Sequence, residues 1–317
     1  MNQWMMIINN QIHYPVLLKE VIENLITTKD GIYLDLTIGF GGHSYNIIKI
    51  LDQKARLIGF DQDLKAIAHC NQLFSEFNNV SLINDNFVNL KKHLQLMQID
   101  NIDGCLIDLG VSSYQLDQAD RGFSYHSLGR LDMRMDQNKA VDATKLIQNS
   151  TVSELVKIMK NYGEIKDPYR VVVALKKAFE KKELNTLEVV ELIKKHVNKA
   201  ELYANKHPAR RYFQALRIAV NNELEVLEKL LSYLPSYLNK GGKIAIITFH
   251  SLEEKIVKKV FRHLASISSL NNLPINNELL KKYHNHFNKG LSPTQSELET
   301  NRRSRSAKLF VLEKINN

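Results

Sequence analysis

From Gly31 onward the chain alternates short runs rich in apolar and β-branched residues with longer stretches whose apolar positions recur at helical spacing. The spacing predicts strands at 31–38, 56–61, 80–84 and 102–109, with helices at 43–53, 64–76 and 87–97 between them. That rhythm belongs to βαβ units on a mostly parallel sheet. It stops at residue 111: 111–141 is charged and loop-like, and 142–206 has helical periodicity and no strand. Within that block Thr151 and Glu154 have the spacing of a capping box, Asp167-Pro168 suits a first helical turn, and Asn185 with Glu188 opens another helix. After His207-Pro208 one long helical pattern runs through Phe213, Leu216, Ile218, Val220, Leu224, Leu227 and Leu231. Gly241-Gly242 then opens an apolar run to Phe249, a helix follows from Leu252 to about Ser266, and Ala307–Ile315 reads as a last strand. Residues 267–300 have no legible pattern. The α/β rhythm resumes after the helical block, so we expect an α/β domain of residues 1–112 and 208–317 with a mainly helical insert, 113–207.

Composition changes this picture mainly in the partner it suggests. Lys and Arg number 43 against 34 Asp and Glu, a net charge of +9 and a pI near 9.3, as in many chains that meet a polyanion. Basic enzymes of small molecules also exist, so charge raises the case for nucleic acid and leaves the decision to motifs. Cys70 and Cys105 lie inside apolar patterns and read as buried thiols of a reducing compartment. Two cysteines alone make no structural zinc site, and no metal is expected. The opening Trp4-Met5-Met6-Ile7-Ile8 lacks the basic flank and cleavage site of a signal peptide. No run approaches the roughly 18 apolar residues of a membrane span. A cytoplasmic protein is expected.

Candidate chemistry begins at the end of the first strand, Asp35-Leu36-Thr37-Ile38-Gly39-Phe40-Gly41-Gly42-His43. Glycines there let a ligand approach the backbone before the next helix. The loop lacks the Gly-Lys-Ser/Thr ending of a phosphate-binding P-loop. Asp61 ends the second strand, where an acid accepts hydrogen bonds from the ribose hydroxyls of an adenosine, in NAD and S-adenosyl-L-methionine alike. Asp35 discriminates between them, because a carboxylate just before the glycines faces a pyrophosphate badly and suits a cationic methionine moiety. A methyltransferase is therefore favoured over an NAD-dependent oxidoreductase, although Thr37 stands where the usual acid-x-Gly-x-Gly-x-Gly pattern has its first glycine. Phe87, after the third strand, is a candidate to pack on an adenine face, and equally a core residue. Asp108 ends the fourth strand, at the edge where open α/β sheets hold their reacting groups.

A base amine donates its lone pair into the ring, so an acceptor for its hydrogens is needed to restore nucleophilicity; Asp108 is the candidate. Methylation at carbon 5 instead needs a thiolate, and Cys105 lies in a predicted strand and Cys70 in a predicted helix. The insert leaves the sheet directly after Asp108 and is expected to wall a substrate cleft for a flipped base. Arg121, Arg130 and Arg134 in the connecting loop, Arg210 and Arg211 after the insert, and Arg302, Arg303 and Arg305 before the last strand are candidate RNA-phosphate ligands. A non-catalytic RNA-binding protein on the same scaffold remains an alternative.

Several strings, taken together, resemble the family of bacterial small-subunit rRNA cytosine-N4 methyltransferases. They are His13-Tyr14-Pro15-Val16-Leu17-Leu18, Gly41-Gly42-His43, and Asp108-Leu-Gly-Val-Ser-Ser-Tyr-Gln-Leu-Asp117 continuing into Arg121-Gly122-Phe123-Ser124. Leu131-Asp-Met-Arg-Met-Asp136, His207-Pro-Ala-Arg-Arg-Tyr-Phe-Gln-Ala-Leu-Arg217, Phe249-His-Ser-Leu-Glu253 and Arg303-Ser-Arg-Ser-Ala-Lys308 complete the set. Tyr114, Arg130 and Arg302 stand where the family pattern usually has proline, and Lys166-Asp167-Pro168 alters a helical motif. The resemblance implies a class I S-adenosyl-L-methionine-dependent methyltransferase fold, a Rossmann-like sheet with an inserted helical substrate-recognition domain. It also implies N4-methylation of a cytidine in the decoding region of 16S rRNA, in the small ribosomal subunit or an assembly intermediate. Its cofactor positions fall on Gly41, Gly42, His43, Asp61, Phe87, Asp108 and Gln115, of which His43 and Gln115 come from the resemblance alone.

Overall fold

The computed structural model describes residues 6–8, 11–266 and 281–316. The chain divides into two compact units, Met1–Gly110 with Leu224–Asn317, and Val111–Glu223.

In the first unit the strands β1 (Met6–Ile8) and β2 (Gln11–His13) form an antiparallel hairpin. The main sheet contains β3 (Ile32–Asp35), β4 (Arg56–Asp61), β5 (Val80–Asn84), β6 (Ile102–Asp108), β7 (Leu238–Thr248), β8 (Tyr283–Asn285) and β9 (Lys308–Lys314). Their order is β5-β4-β3-β6-β7-β9-β8. The first five run parallel, and β9 is antiparallel to both of its neighbours. Helix α1 (Leu18–Leu25) precedes β3, helices α2 (Gly42–Ile48), α3 (Leu64–Leu73) and α4 (Leu90–Leu96) connect successive parallel strands, and α13 (Ser251–Ala265) and α14 (Gln295–Thr300) follow β7 and β8. Period-2 alternation sends apolar side chains to both faces. Ile58, Phe60, Ile107, Ile244, Ile246, Phe310 and Leu312 join one core, while Leu57, Leu106, Ala245, Ile247, Leu309 and Val311 join the other. Because β4, β3 and β6 are adjacent and parallel, their carboxyl ends lie side by side, and with them Asp35, Asp61 and Asp108.

The second unit is helical: α5 (Ser113–Asp117), α6 (Ala143–Asn149), α7 (Val152–Gly163), α8 (Tyr169–Phe179), α9 (Thr186–His196), α10 (Lys199–Leu202) and α11 (Ala209–Asn221). The capping boxes read from Thr151/Glu154 and Asn185/Glu188 open α7 and α9. One core contains Leu131, Met133, Leu155, Met159, Val172, Leu175, Val190, Ile193, Tyr212, Phe213 and Leu216.

Three features differ from the sequence pattern. The single helix expected across Phe213–Leu231 is two, α11 and α12 (Glu223–Leu231), because Asn222 takes a left-handed conformation with φ 55°. The amide of Asn221 anchors the break by donating to Met133 O at 2.8 Å and accepting from Met135 N at 2.9 Å. The helix expected at 87–97 begins with a 3-10 turn, Phe87–Asn89, capped by Asn86. Finally, α11 was assigned by sequence to the α/β part, and it buries its apolar stripe in the core of the second unit. The hairpin, β8 and α14 had no counterpart in the sequence pattern, and residues 267–280 lie outside the described residues.

Candidate active site

The loop after β3 is built by backbone geometry. Gly39 and Gly41 have φ of 53° and 82°, in the left-handed region, and a Cβ on Gly41 would come within 2.6 Å of Leu73 Cδ2. Asp61 holds the loop from β4, accepting from Gly39 N at 2.9 Å and from Asp63 N at 2.8 Å. Asp35 is buried: Ser44 Oγ in α2 donates to it at 2.7 Å and Thr37 N at 3.2 Å. Burial raises both acids to about 6, against the hydrogen bonds that favour their charge. Asp35 thus acts on the site through its field and through α2, since its oxygens are engaged inside the fold.

Asp108 ends β6 beside them. Its backbone N–H donates to Thr37 Oγ1 at 2.7 Å, which ties the ends of the first and fourth parallel strands. This is the work of the threonine that occupies a usual glycine position: a hydroxyl replaces loop freedom with a strut. The Asp108 carboxyl is held well above the ordinary range by burial first, then by the charges of Asp35 and Glu253. Its Oδ1 is buried with no hydrogen-bond partner among the described residues. His43 lies alongside, with Nε2 2.9 Å from Val16 O. A carbonyl only accepts, so Nε2 carries the hydrogen and Nδ1 presents a lone pair. Nδ1 stands 3.8 Å from Asp108 Oδ2, beyond hydrogen-bond reach. Burial pushes His43 down to about 4.

Three carboxylates and a neutral imidazole therefore share the carboxyl edge of the sheet, with Glu253 as a fourth acid near Asp108. Glu253 is buried in the first turn of α13, where it accepts from Phe249 N at 2.7 Å and from His250 N at 3.2 Å. Among the described residues no lysine or arginine is near enough to offset the charge of Asp35, Asp61 or Asp108. Such an edge favours a positively charged ligand.

A family model described as the MraW methylase family matches residues 10–315. The chain belongs to the MraW methylase family. It is 49% identical over 296 residues to the ribosomal RNA small subunit methyltransferase H of Ureaplasma parvum serovar 3, covering 93% of this chain and 96% of the relative. The proteins of the same name from Clostridioides difficile and Mycoplasma pneumoniae are 46% and 43% identical over 309 residues each, covering 96% and 97% of this chain and 99% of each relative. A solved structure of an rRNA methylase from Streptococcus thermophilus aligns at TM-score 0.38 and 12% identity, over 94% of each chain. The sheet described above is the Rossmann-like sheet of the class I methyltransferases.

The remaining expected site residues separate by environment. Phe87 is half-buried against the core beneath the β5 end. Gln115, in the second unit, is buried and closes a capping box with Ser112, donor and acceptor being exchanged at 3.1 and 3.2 Å. Among the arginines, three are engaged with the chain itself. Arg121 is 2% exposed, and its guanidinium donates to the carbonyls of Arg134 and Met135. Arg134 forks onto Asp132 at 2.8 and 2.6 Å and donates to Gln137 O and Lys139 O. Arg211 donates to Gly163 O and Glu164 O at the end of α7, where the helix dipole attracts a cation. These side chains brace backbone, which sequence spacing does not distinguish from phosphate binding. Arg130 is about half exposed and paired with Asp142 at 2.7 Å. Arg210 is half-exposed, and Arg302, Arg303 and Arg305 are exposed on one 3-10 turn, Arg302–Ser306.

That turn is fastened to the site by the segment before α1. Asn301 Nδ2 donates to Tyr14 O at 3.0 Å, and Leu17 N donates to Glu297 Oε1 at 2.8 Å. Val16 O, between them, holds His43. Neither Glu297 nor Glu253 was singled out as a site residue from sequence. The signal for Glu253 was present, in the fixed spacing from His250 that forms a capping box; none announced Glu297.

Proposed function

We propose that this chain transfers the methyl group of S-adenosyl-L-methionine to the N4 amine of a cytidine in the decoding region of 16S rRNA, in the cytoplasm. The reading rests on membership in the MraW methylase family, on the small-subunit rRNA named for its relatives, and on one observation above all: Asp108, a half-buried carboxyl at the end of the fourth parallel strand whose inner oxygen is unpartnered among the described residues. The residues fit a cationic cofactor. Asp35, Asp61 and Asp108 supply negative charge, Gly41 lets the loop take a left-handed turn packed close against Leu73 and Phe74, and Asp61, with four lone-pair positions and two backbone donors, retains capacity for ribose hydroxyls. Gly41, Gly42, His43, Asp61, Phe87, Asp108 and Gln115 are the residues assigned to hold it.

Bound there, S-adenosyl-L-methionine supplies an electrophilic methyl group on a sulfonium. Asp108 does the rest of the chemistry from the protein side. Its carboxylate accepts a hydrogen of the target amine, which localises the nitrogen lone pair and aims it. As nitrogen gains its fourth bond and becomes cationic, its proton passes to the Asp108 carboxylate. The raised proton affinity of Asp108 suits that transfer. Cys70 and Cys105 supply no nucleophile, because both are buried and burial pushes both thiols up. The basic 3-10 turn and Arg210 are assigned to RNA phosphates. Incubation with methyl-labelled S-adenosyl-L-methionine and small ribosomal subunits tests the reading: label is expected in rRNA, and its absence from mature subunits and from assembly intermediates alike contradicts it.

A further inference from the structure

The second unit carries an aromatic cluster that the cofactor chemistry does not use. Tyr125 and His207 stack with ring centroids 5.0 Å apart and planes 15° from parallel. His126 tilts against Tyr125 at 4.4 Å and meets His207 edge-on at 5.6 Å. Phe213 supports Tyr125 from the core at 5.8 Å. The group lies at the surface: His126 is exposed, and Tyr125 and His207 are half-buried. Ala209 N donates to His207 Nδ1 at 3.3 Å, so that ring is the neutral Nε2–H form, and burial together with the positive charge of Lys194 holds its proton affinity down. A neutral ring stacks without carrying a charge of its own.

The surroundings are basic and hollow. An open depression of about 560 Å³ is lined by Glu191, Leu192, Lys194, Lys195, His196 and Leu202. Glu191 and Lys194 from this lining are near enough to His207 to act on it electrostatically. Lys195 and Lys206 are exposed there, the latter next to His207 in the chain. Core packing accounts for Phe213 and one face of Tyr125. It does not account for two histidine rings gathered on the solvent side.

We propose that Tyr125, His126 and His207 form a stacking platform for an unpaired base of the RNA substrate, with Lys195 and Lys206 at the neighbouring phosphates. The inference rests on the reading of RNA as substrate. Single-stranded RNA is held by aromatic faces and flanking cations in this way, and each stacked base contributes about 1–3 kcal/mol, or roughly 5- to 150-fold. The platform is indifferent to base identity and requires that a base be present.

Fluorescence anisotropy with a single-stranded RNA decamer and an abasic decamer of the same backbone makes the test. The native chain is expected to prefer the base-bearing RNA by about tenfold or more. His126→Ala with His207→Ala is expected to erase most of that preference, with the salt dependence unchanged and the melting temperature close to native. His126→Ala alone, at an exposed position, is expected to lose part of it. Equal binding of the two RNAs by the native chain, or a native preference retained by both variants, overturns the platform. Methyl transfer measured in parallel separates the readings: a chain that methylates subunits without base preference refutes the platform alone, and one with base preference but no methylation refutes the proposed reaction alone.

Discussion

Asp108 and its neighbours occupy a place where negative charge is costly until a cation arrives, and that cost is itself measurable. Asp35 has its proton affinity raised by burial to about 6 from an ordinary 3.8. Between these values the folded chain binds more protons than the unfolded one, so this residue's contribution to stability is full below pH 3.8 and is lost as pH rises through 6. Asp35→Asn removes that loss. In thermal melts without cofactor, the gain of the variant over the native chain is expected to be larger at pH 7.5 than at pH 4; a gain that shrinks with rising pH contradicts the assignment. His43 runs the other way: lowered to about 4, it adds stability that is present above pH 6.5 and lost as pH falls through 4. At Asp108 the expected effect is on rate. Asp108→Asn keeps the shape and removes the proton acceptor, and kcat is expected to fall by about a hundredfold or more with the fold intact. Asp35, Asp61 and Asp108 were legible in sequence because strand ends announce themselves. Their hydrogen-bond partners Thr37 and Ser44 were not, because a hydroxyl's role depends on which strand end it faces.

The same arginine side chain does two different jobs in different elements, and only the fold separates them. The turn Arg302–Ser306 displays Arg302, Arg303 and Arg305 on its exposed side while Ser304 is buried beneath. Replacing the three by Gln is expected to lower the slope of log affinity for single-stranded RNA against log salt by about 2, with S-adenosyl-L-methionine affinity unchanged. An unchanged slope removes the turn from the RNA contact. Arg134 gives the contrasting case. Its partner Asp132 is 4% exposed, so Arg134→Ala strands a buried charge and is expected to cost about 3 kcal/mol in denaturant unfolding, with no change in salt slope. A variant as stable as the native chain contradicts that structural role. Element boundaries were legible where a cap marked them, as at Thr151 and Asn185, whereas β7 begins at Leu238, ahead of the Gly241-Gly242 pair expected to open it. They were illegible at Asn222, where the apolar period continues across a left-handed residue that side-chain hydrogen bonds impose.

For the whole molecule, the sequence rhythm already described an α/β sheet interrupted once by helices, because a parallel strand buried on both faces and an amphipathic helix leave different periods. What it did not convey was the allegiance of α11, whose stripe suits either body and is decided by packing, nor the short pairings of β8 and the N-terminal hairpin, which have too few residues to form a period. Among the described residues no helix is long and apolar enough to cross a membrane, and no group of three or more His, Cys, Asp or Glu is arranged to hold a metal ion. The most direct measurement uses small ribosomal subunits from cells lacking this enzyme, incubated with methyl-labelled S-adenosyl-L-methionine and the native chain, followed by nuclease digestion and mass spectrometry of the nucleosides. Label on the N4 amine of a single cytidine, absent with Asp108→Asn, is the result expected. Label at carbon 5 or on a ribose hydroxyl, or N4 label undiminished in the variant, contradicts it.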